Sequence, residues 1–234
     1  MFIGHIGVAL ALKKLEPKTN LGTLVFTSLL LDILLGGFVL AGLEMIIVPV
    51  NYAQLHYLMF IFPYSHSLIA AVVWSALVFF ITYIILKNSD YRYRLKSSLI
   101  IGGAVFIHWC CDWLEHPAQL PLTGSHSHFV GLGLWEHLEL ALMLEVSLML
   151  IGLVMYLSAA KHINKKARWI LISIMLLLTT MAVIGQATVV QPPRPVDVAI
   201  SILLQAIVIS GIALWLDRKR SDVAQYRDSN DDKN

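Results

Sequence analysis

Six apolar stretches, each about as long as a bilayer is thick, dominate this chain of 234 residues; they run near 21–43, 68–86, 97–115, 138–160, 169–188 and 198–216. A helix needs ~20 apolar residues to cross ~30 Å of hydrocarbon. In hydrocarbon every backbone N–H and C=O must find its partner within the protein, so helices are the natural spanning form of such stretches. The spacing therefore predicts an all-α, polytopic membrane helical bundle with six spanning helices. Composition agrees, with 58% hydrophobic residues, 14% charged residues and a mean hydropathy of +0.74.

Residues 1–12, MFIGHIGVALAL, resemble a signal peptide only superficially. No basic stretch precedes them, no small-residue cleavage site follows, and Lys13, Lys14 and Lys18 come after the apolar part. They read as a retained short helix, reaching about halfway into the bilayer at ~1.5 Å per residue. Residues 1–220 read as a single integral membrane domain and 221–234 as a polar cytoplasmic tail without fixed structure.

With six spans, 16 of the 17 Lys and Arg residues collect on one side of the membrane and Arg194 alone falls on the other. The positive-inside rule places both ends of the chain in the cytoplasm and loops 44–67, 116–137 and 189–197 outside. The basic residues are thereby accounted for as determinants of topology, and no aromatic-interleaved basic surface points to nucleic acid. Cys110 and Cys111 are adjacent within a span, without zinc-type spacing, and read as packing residues. The chain shows no internal repeat, phosphate-binding glycine loop or nucleophile elbow.

Ionisable groups at bilayer depth cost at least ~2.5 kcal/mol each and need partners. Asp32 stands near the middle of the first span, and His5, eight residues before Lys13, reaches a similar depth. The stretch HWCCDWLEHP at 108–117 is richer, because His108, Asp112, Glu115 and His116 share one helical stripe. Ligand-type residues at i and i+4 let one helix offer two side chains to one metal, as HExxH does. His108 and His116 are ~12 Å apart along the axis, so the three ligand-type residues cannot all reach one ion. Either neighbouring metals share Asp112, or one of the three supports the others. His66 in PYSHSL lies at comparable height. GSHSHF adds His126 and His128, read as solvated, and LWEHLELALMLE adds Glu136, His137, Glu139 and Glu145. No Lys or Arg is at hand to neutralise these carboxylates, which leaves a bound cation or protons as the balance.

The order GHIGVALALKK, LGTL with LLD, YSHSL, HWCCDWLEHP with LPL, and GLGLW, over residues 1–145, resembles a bacterial family. Its members are described as membrane-bound, metal-dependent hydrolase-like proteins, or LexA-binding, inner-membrane-associated hydrolases; within it the chain looks closest to an uncharacterised multi-span subgroup. The resemblance implies a divalent-metal site similar in ligand type to the phospholipase C and P1 nuclease group, held by His5, Asp32, His66, His108 and Asp112. The chain has LLDIL where the family often shows PD or PDxD, and PYSHS where it often shows HRGxTHS.

The leading expectation is a metal-dependent hydrolase, with a divalent ion such as Zn²⁺ activating water for attack on a phosphoester or lipid-linked substrate. His5, Asp32, His66, His108 and Asp112 are the expected ligands, His116 a further ligand or supporting partner, and Glu115 the general base beside Asp112. Two other classes remain: a proton- or ion-coupled transporter or channel using the same residues, and a non-catalytic membrane scaffold. Membrane lipids are the expected partners.

Overall fold

The structure is a computed structural model that describes residues 1–125, 127–159, 165–188 and 191–231. His126, expected in a solvated loop, lies outside the described residues, as do the last three positions of the tail. The protein is an all-α polytopic bundle. Among the described residues five helices are long and apolar enough to cross a membrane, and a bent pair makes a sixth span if counted as one.

The short N-terminal helix α1 (Phe2–Leu15) is buried on nearly every side, including Ile3, Ile6, Ala9 and Leu10. It packs most extensively on α7 (Leu138–Ala159) and also on α2 (Leu21–Ser28) and α6 (Tyr91–Glu115). The α1/α7 approach is backbone on backbone, because a Cβ on Gly7 would collide with the Leu148 carbonyl and one on Gly152 with the Gly7 carbonyl. In hydrocarbon such close packing is a main source of helix association.

The stretch expected as one span over 21–43 is broken. Helix α2 ends at Ser28 and α3 (Leu30–Leu40) leaves it at 52°. The bend at Leu29 frees the Ser28 carbonyl from the helical ladder, and it accepts a hydrogen bond from His108 Nδ1 at 2.7 Å instead. A side chain that re-satisfies a released backbone group is what makes such a break tolerable at membrane depth. A short turn, α4 (Tyr52–Leu55), lies in the connection that follows.

Helix α5 (Leu68–Ile85), capped by Ser67 on the Ala70 amide, packs against α6 and otherwise exposes an apolar surface. Helix α8 (Lys165–Thr188) leans on α7 and α1, and α9 (Pro195–Asp231) on α2 and α3. Helix α9 runs on through residues 221–231 of the segment expected as an unstructured tail, continuing a helix its apolar part has already nucleated.

The two ends of the bundle differ. At the basic end the Lys13 ammonium is buried against Asp217 at 2.7 Å, and Asp217 also accepts from the Leu21 amide at 2.9 Å. At the other end two small antiparallel hairpins, β1 (Met45–Ile47) with β2 (Met59–Ile61) and β3 (Leu120–Pro121) with β4 (Phe129–Val130), fold over the helix ends, next to a 3₁₀ turn at Leu134–Glu136. They bring Phe60, Gln119 and Trp135 over the polar residues that α1, α3 and α6 present at this end.

Candidate metal centre

Side chains from α3, α6 and the turn before α5 converge beneath the hairpins. His66 Nε2, His108 Nε2 and Asp112 Oδ2 form a triangle with edges of 3.3 Å between the imidazoles, 3.0 Å from His108 to Asp112 and 3.4 Å from His66 to Asp112. All three residues are buried. Zinc bonds of about 2.0–2.1 Å place tetrahedral ligand atoms roughly 3.3–3.4 Å apart, close to these edges.

The hydrogen bonds behind each imidazole fix which nitrogen carries the proton. His108 Nδ1 faces the Ser28 carbonyl, which only accepts, so Nδ1 bears a hydrogen and, in the neutral ring, Nε2 presents a lone pair. Behind His66, Ser65 Oγ donates its single hydrogen to Glu44 Oε2 at 2.7 Å and so accepts from His66 Nδ1 at 2.8 Å. His66 Nε2 then also presents a lone pair. Three electron-pair donors therefore meet within 3.4 Å, an arrangement that a shared cation or proton must stabilise.

Asp32 Oδ1 lies 3.8 Å from His66 Nε2 and 3.9 Å from His108 Nε2, about half an ångström longer than a tetrahedral edge. His5 stacks on His108, with ring centroids 3.6 Å apart, and its Nε2 contacts Asp112 Oδ1 at 3.1 Å. His5 Nδ1 is buried without a hydrogen-bond partner. Two groups of three among the described residues bring ligand atoms within 4.8 Å of one another: His66, His108 and Asp112, and His5, Asp32 and His108. His108 has only Nε2 to offer, so both groups describe one centre rather than two independent sites. The residues present fit a divalent ion by donor type, spacing and tautomer.

His116 and Glu115, expected with these ligands, belong to neither group. Gln119 Oε1 accepts from the Phe60 amide at 3.0 Å, which orients its Nε2 to donate to His116 Nδ1 at 2.6 Å. His116 thus presents an N–H at Nε2 rather than a lone pair. Burial holds its pKa well below the ordinary imidazole value, so it stays neutral. Glu115 Oε2 accepts from Trp135 Nε1 at 2.9 Å and lies 3.4 Å from the Met1 nitrogen, while Oε1 is buried without a partner. Glu145, deeper on α7, accepts from the Ile3 amide at 3.0 Å and holds the start of α1.

Sequence reasoning did not single out Glu44. It is buried 20 residues before Tyr64 and accepts from the Tyr64 amide at 2.8 Å, the Ser65 amide at 2.8 Å and the Ser65 hydroxyl. Its only signal in the chain is an acid in an apolar run, LEMIIV, with no basic neighbour. Partners behind a ligating histidine typically contribute 10- to 100-fold in metal affinity. Ser65→Ala is accordingly expected to weaken zinc binding about tenfold, measured by competition with a chromophoric chelator, without changing the helical circular dichroism.

A cavity of ≈ 140 Å³ adjoins the centre, walled by Asp32, His66, Asp112 and His116 on one side and Phe60, Phe62 and Trp135 on the other. No protein family, curated protein or solved structure matches the chain. What the fold and the cluster define is a class: a multi-span helical membrane protein whose buried His and Asp groups could hold a metal ion.

Proposed function

We propose that the protein is a metal-dependent hydrolase of the bacterial inner membrane, with its centre in the outer half of the bundle and its basic end in the cytoplasm. The observation that carries this reading is the triangle of His66, His108 and Asp112, whose two imidazoles are turned lone pair inward by Ser65 and Ser28. The resemblance of the motif order to membrane-bound, metal-dependent hydrolase-like proteins points the same way.

In this reading His66, His108 and Asp112 hold a zinc ion or a similar divalent cation. When bound, it lowers the pKa of a coordinated water and polarises the oxygen of the group under attack. The chain's own residues do the rest. His5 holds Asp112 through its second oxygen, keeping Oδ2 turned toward the imidazoles. Asp32, slightly too distant to complete a tetrahedron and lining the cavity, takes the proton that water loses and returns it to the leaving group. His116 offers its N–H from the cavity wall, and Phe60, Phe62 and Trp135 limit access of bulk water. Glu115 lines neither this cavity nor the triangle, so its role is to support Trp135 rather than to act as base.

Elemental analysis of detergent-purified protein tests the reading directly. The expected result is about one divalent metal per chain in wild type and none in His108→Ala/Asp112→Ala. Absence of metal from the wild type, after attempted loading with zinc, manganese and iron, would overturn it and assign the cluster to protons.

A further inference from the structure

The connection between α3 and α5, outward by the charge rule, has no Asp, Glu, Lys or Arg from Met45 to Ser67. Glu44, just before it, is buried on the Tyr64 and Ser65 amides. Hairpins that stand in water usually guard their open edges with charge or proline, and neither β1 nor β2 contains either. Strand alternation sorts this hairpin into two faces. The register pairs Met45 with Ile61, Ile46 with Phe60 and Ile47 with Met59. Ile46 is buried, and Phe60 packs on Phe62 and walls the metal-side cavity. The opposite face consists of Met45, Ile47, Met59 and Ile61, each 38% to 58% exposed. Two cross-strand pairs of large apolar side chains are thus turned away from the protein with no polar group among them.

The size of this face and its neighbours indicate what covers it. Two strands of three residues, at ~3.3 Å per residue and ~4.8 Å between strands, present an area on the order of 100 Å². A stable protein interface takes about 800 Å² from each partner, so a second copy seated here would have too little to hold. The spanning helices around the hairpin supply a larger apolar surface that continues it. Leu40 at the end of α3, Ile69 and Val72 on α5, and Ile200 and Leu204 on α9 are all exposed, and β1 touches α9. Tyr64 and Trp113, exposed at the same end, are of the two types that settle at headgroup level. Depth is limited by the backbone. The two strands pair only with each other, and open sheet edges do not occur in hydrocarbon. The hairpin therefore belongs at the headgroup boundary, where amphipathic elements bury an apolar face about 5–10 Å deep.

We infer that β1–β2 is seated in the leaflet at this end of the bundle. Met45, Ile47, Met59 and Ile61 rest on lipid acyl chains just beneath the headgroups, while Phe60, on the reverse side of the same strands, roofs the metal-side cavity at that depth. The partner is lipid hydrocarbon. The contact needs no bound metal and so stands apart from the hydrolase reading.

Wild-type protein in phosphatidylcholine nanodiscs carries its own reporters. Met45 and Met59 mark the hairpin, Met143 and Met181 are exposed on the spans α7 and α8, and His128 is exposed in the loop before β4. Hydroxyl-radical oxidation, read by mass spectrometry, is expected to modify Met45 and Met59 no faster than Met143 and Met181. Both are also expected to react more slowly than His128, although methionine is intrinsically the more reactive side chain. Irradiation with a phosphatidylcholine bearing an acyl-chain diazirine is expected to leave lipid adducts on residues 45–47 and 59–61. Ile47→Glu/Ile61→Glu places one carboxylate on each strand, and charge is costly away from water. In that variant Met45 and Met59 are expected to be oxidised faster than His128 and the adducts to be lost, with helical circular dichroism unchanged. Oxidation of Met45 and Met59 faster than His128 in the wild type would overturn the inference, since the hairpin would then stand in water. Protection without lipid adducts would overturn it in favour of a protein, a second copy included, on this face. Adducts that persist in the folded double variant would overturn it as well, the label then reading only the neighbouring spans. The two wild-type measurements decide the matter even where the variant does not fold.

Discussion

Chelating the metal from wild-type protein is expected to lower its melting temperature by about 10 °C, with full recovery when zinc is returned. The size follows from linkage. An ion present at about 1,000 times its dissociation constant stabilises the folded state by about 4 kcal/mol, and each kcal/mol moves the midpoint of a chain of this size by about 2–4 °C. The direction follows from the site. Without a cation, His66 Nε2, His108 Nε2 and Asp112 Oδ2 face one another at 3.0–3.4 Å as electron-pair donors in a buried setting. Differential scanning fluorimetry with and without a membrane-impermeant chelator measures the shift. In His108→Ala the chelator is expected to change nothing, since the shared corner of both ligand groups is gone. Equal sensitivity of wild type and variant would place the metal elsewhere.

Gly152→Val is expected to destabilise the protein by about 3 kcal/mol and to weaken zinc binding by at least about tenfold. The first effect is steric. The Gly152 position faces the Gly7 carbonyl so closely that any side chain must force α1 away from α7, and overpacking between rigid elements costs about 1–3 kcal/mol or more. The second is geometric, because α1 carries His5, which holds the far oxygen of Asp112. Gly185→Val on α8 supplies the control. A Cβ there meets nothing within 4 Å, so the same chemical change is expected to leave stability within about 0.5 kcal/mol of wild type and metal binding intact. Thermal unfolding and metal titration on the two variants check both expectations. A tolerated Gly152→Val would mean that α1 and α7 are not in backbone contact.

Spanning segments, and the polar stripe on the third, can be read from the chain because each is a local property. Apolar length determines whether a helix can cross hydrocarbon. The 3.6-residue period alone brings His108 and Asp112 to one face at i and i+4, and the structure joins them at 3.0 Å. The convergence of His5, Asp32 and His66 on that stripe was an inference from depth, and the packing supplies it. Other features depend on contacts between segments distant in sequence. The break at Leu29 turns α3 so that Asp32 reaches the imidazoles, and its released carbonyl sets the tautomer of His108; neither shows in the uninterrupted apolar run from 21 to 43. Glu44 acts across 21 residues on Ser65 and through it on His66, a relay with no spacing rule behind it. His116 shares the stripe yet presents the wrong nitrogen, because Gln119, itself oriented by the Phe60 amide of the hairpin, occupies its Nδ1. By itself, then, the sequence determined a polytopic helical membrane protein with costly polar groups at one depth. The tertiary structure decided which of those groups face one another and which carry a lone pair, because helix crossings, hairpin closure and second partners of each imidazole arise only when distant segments pack.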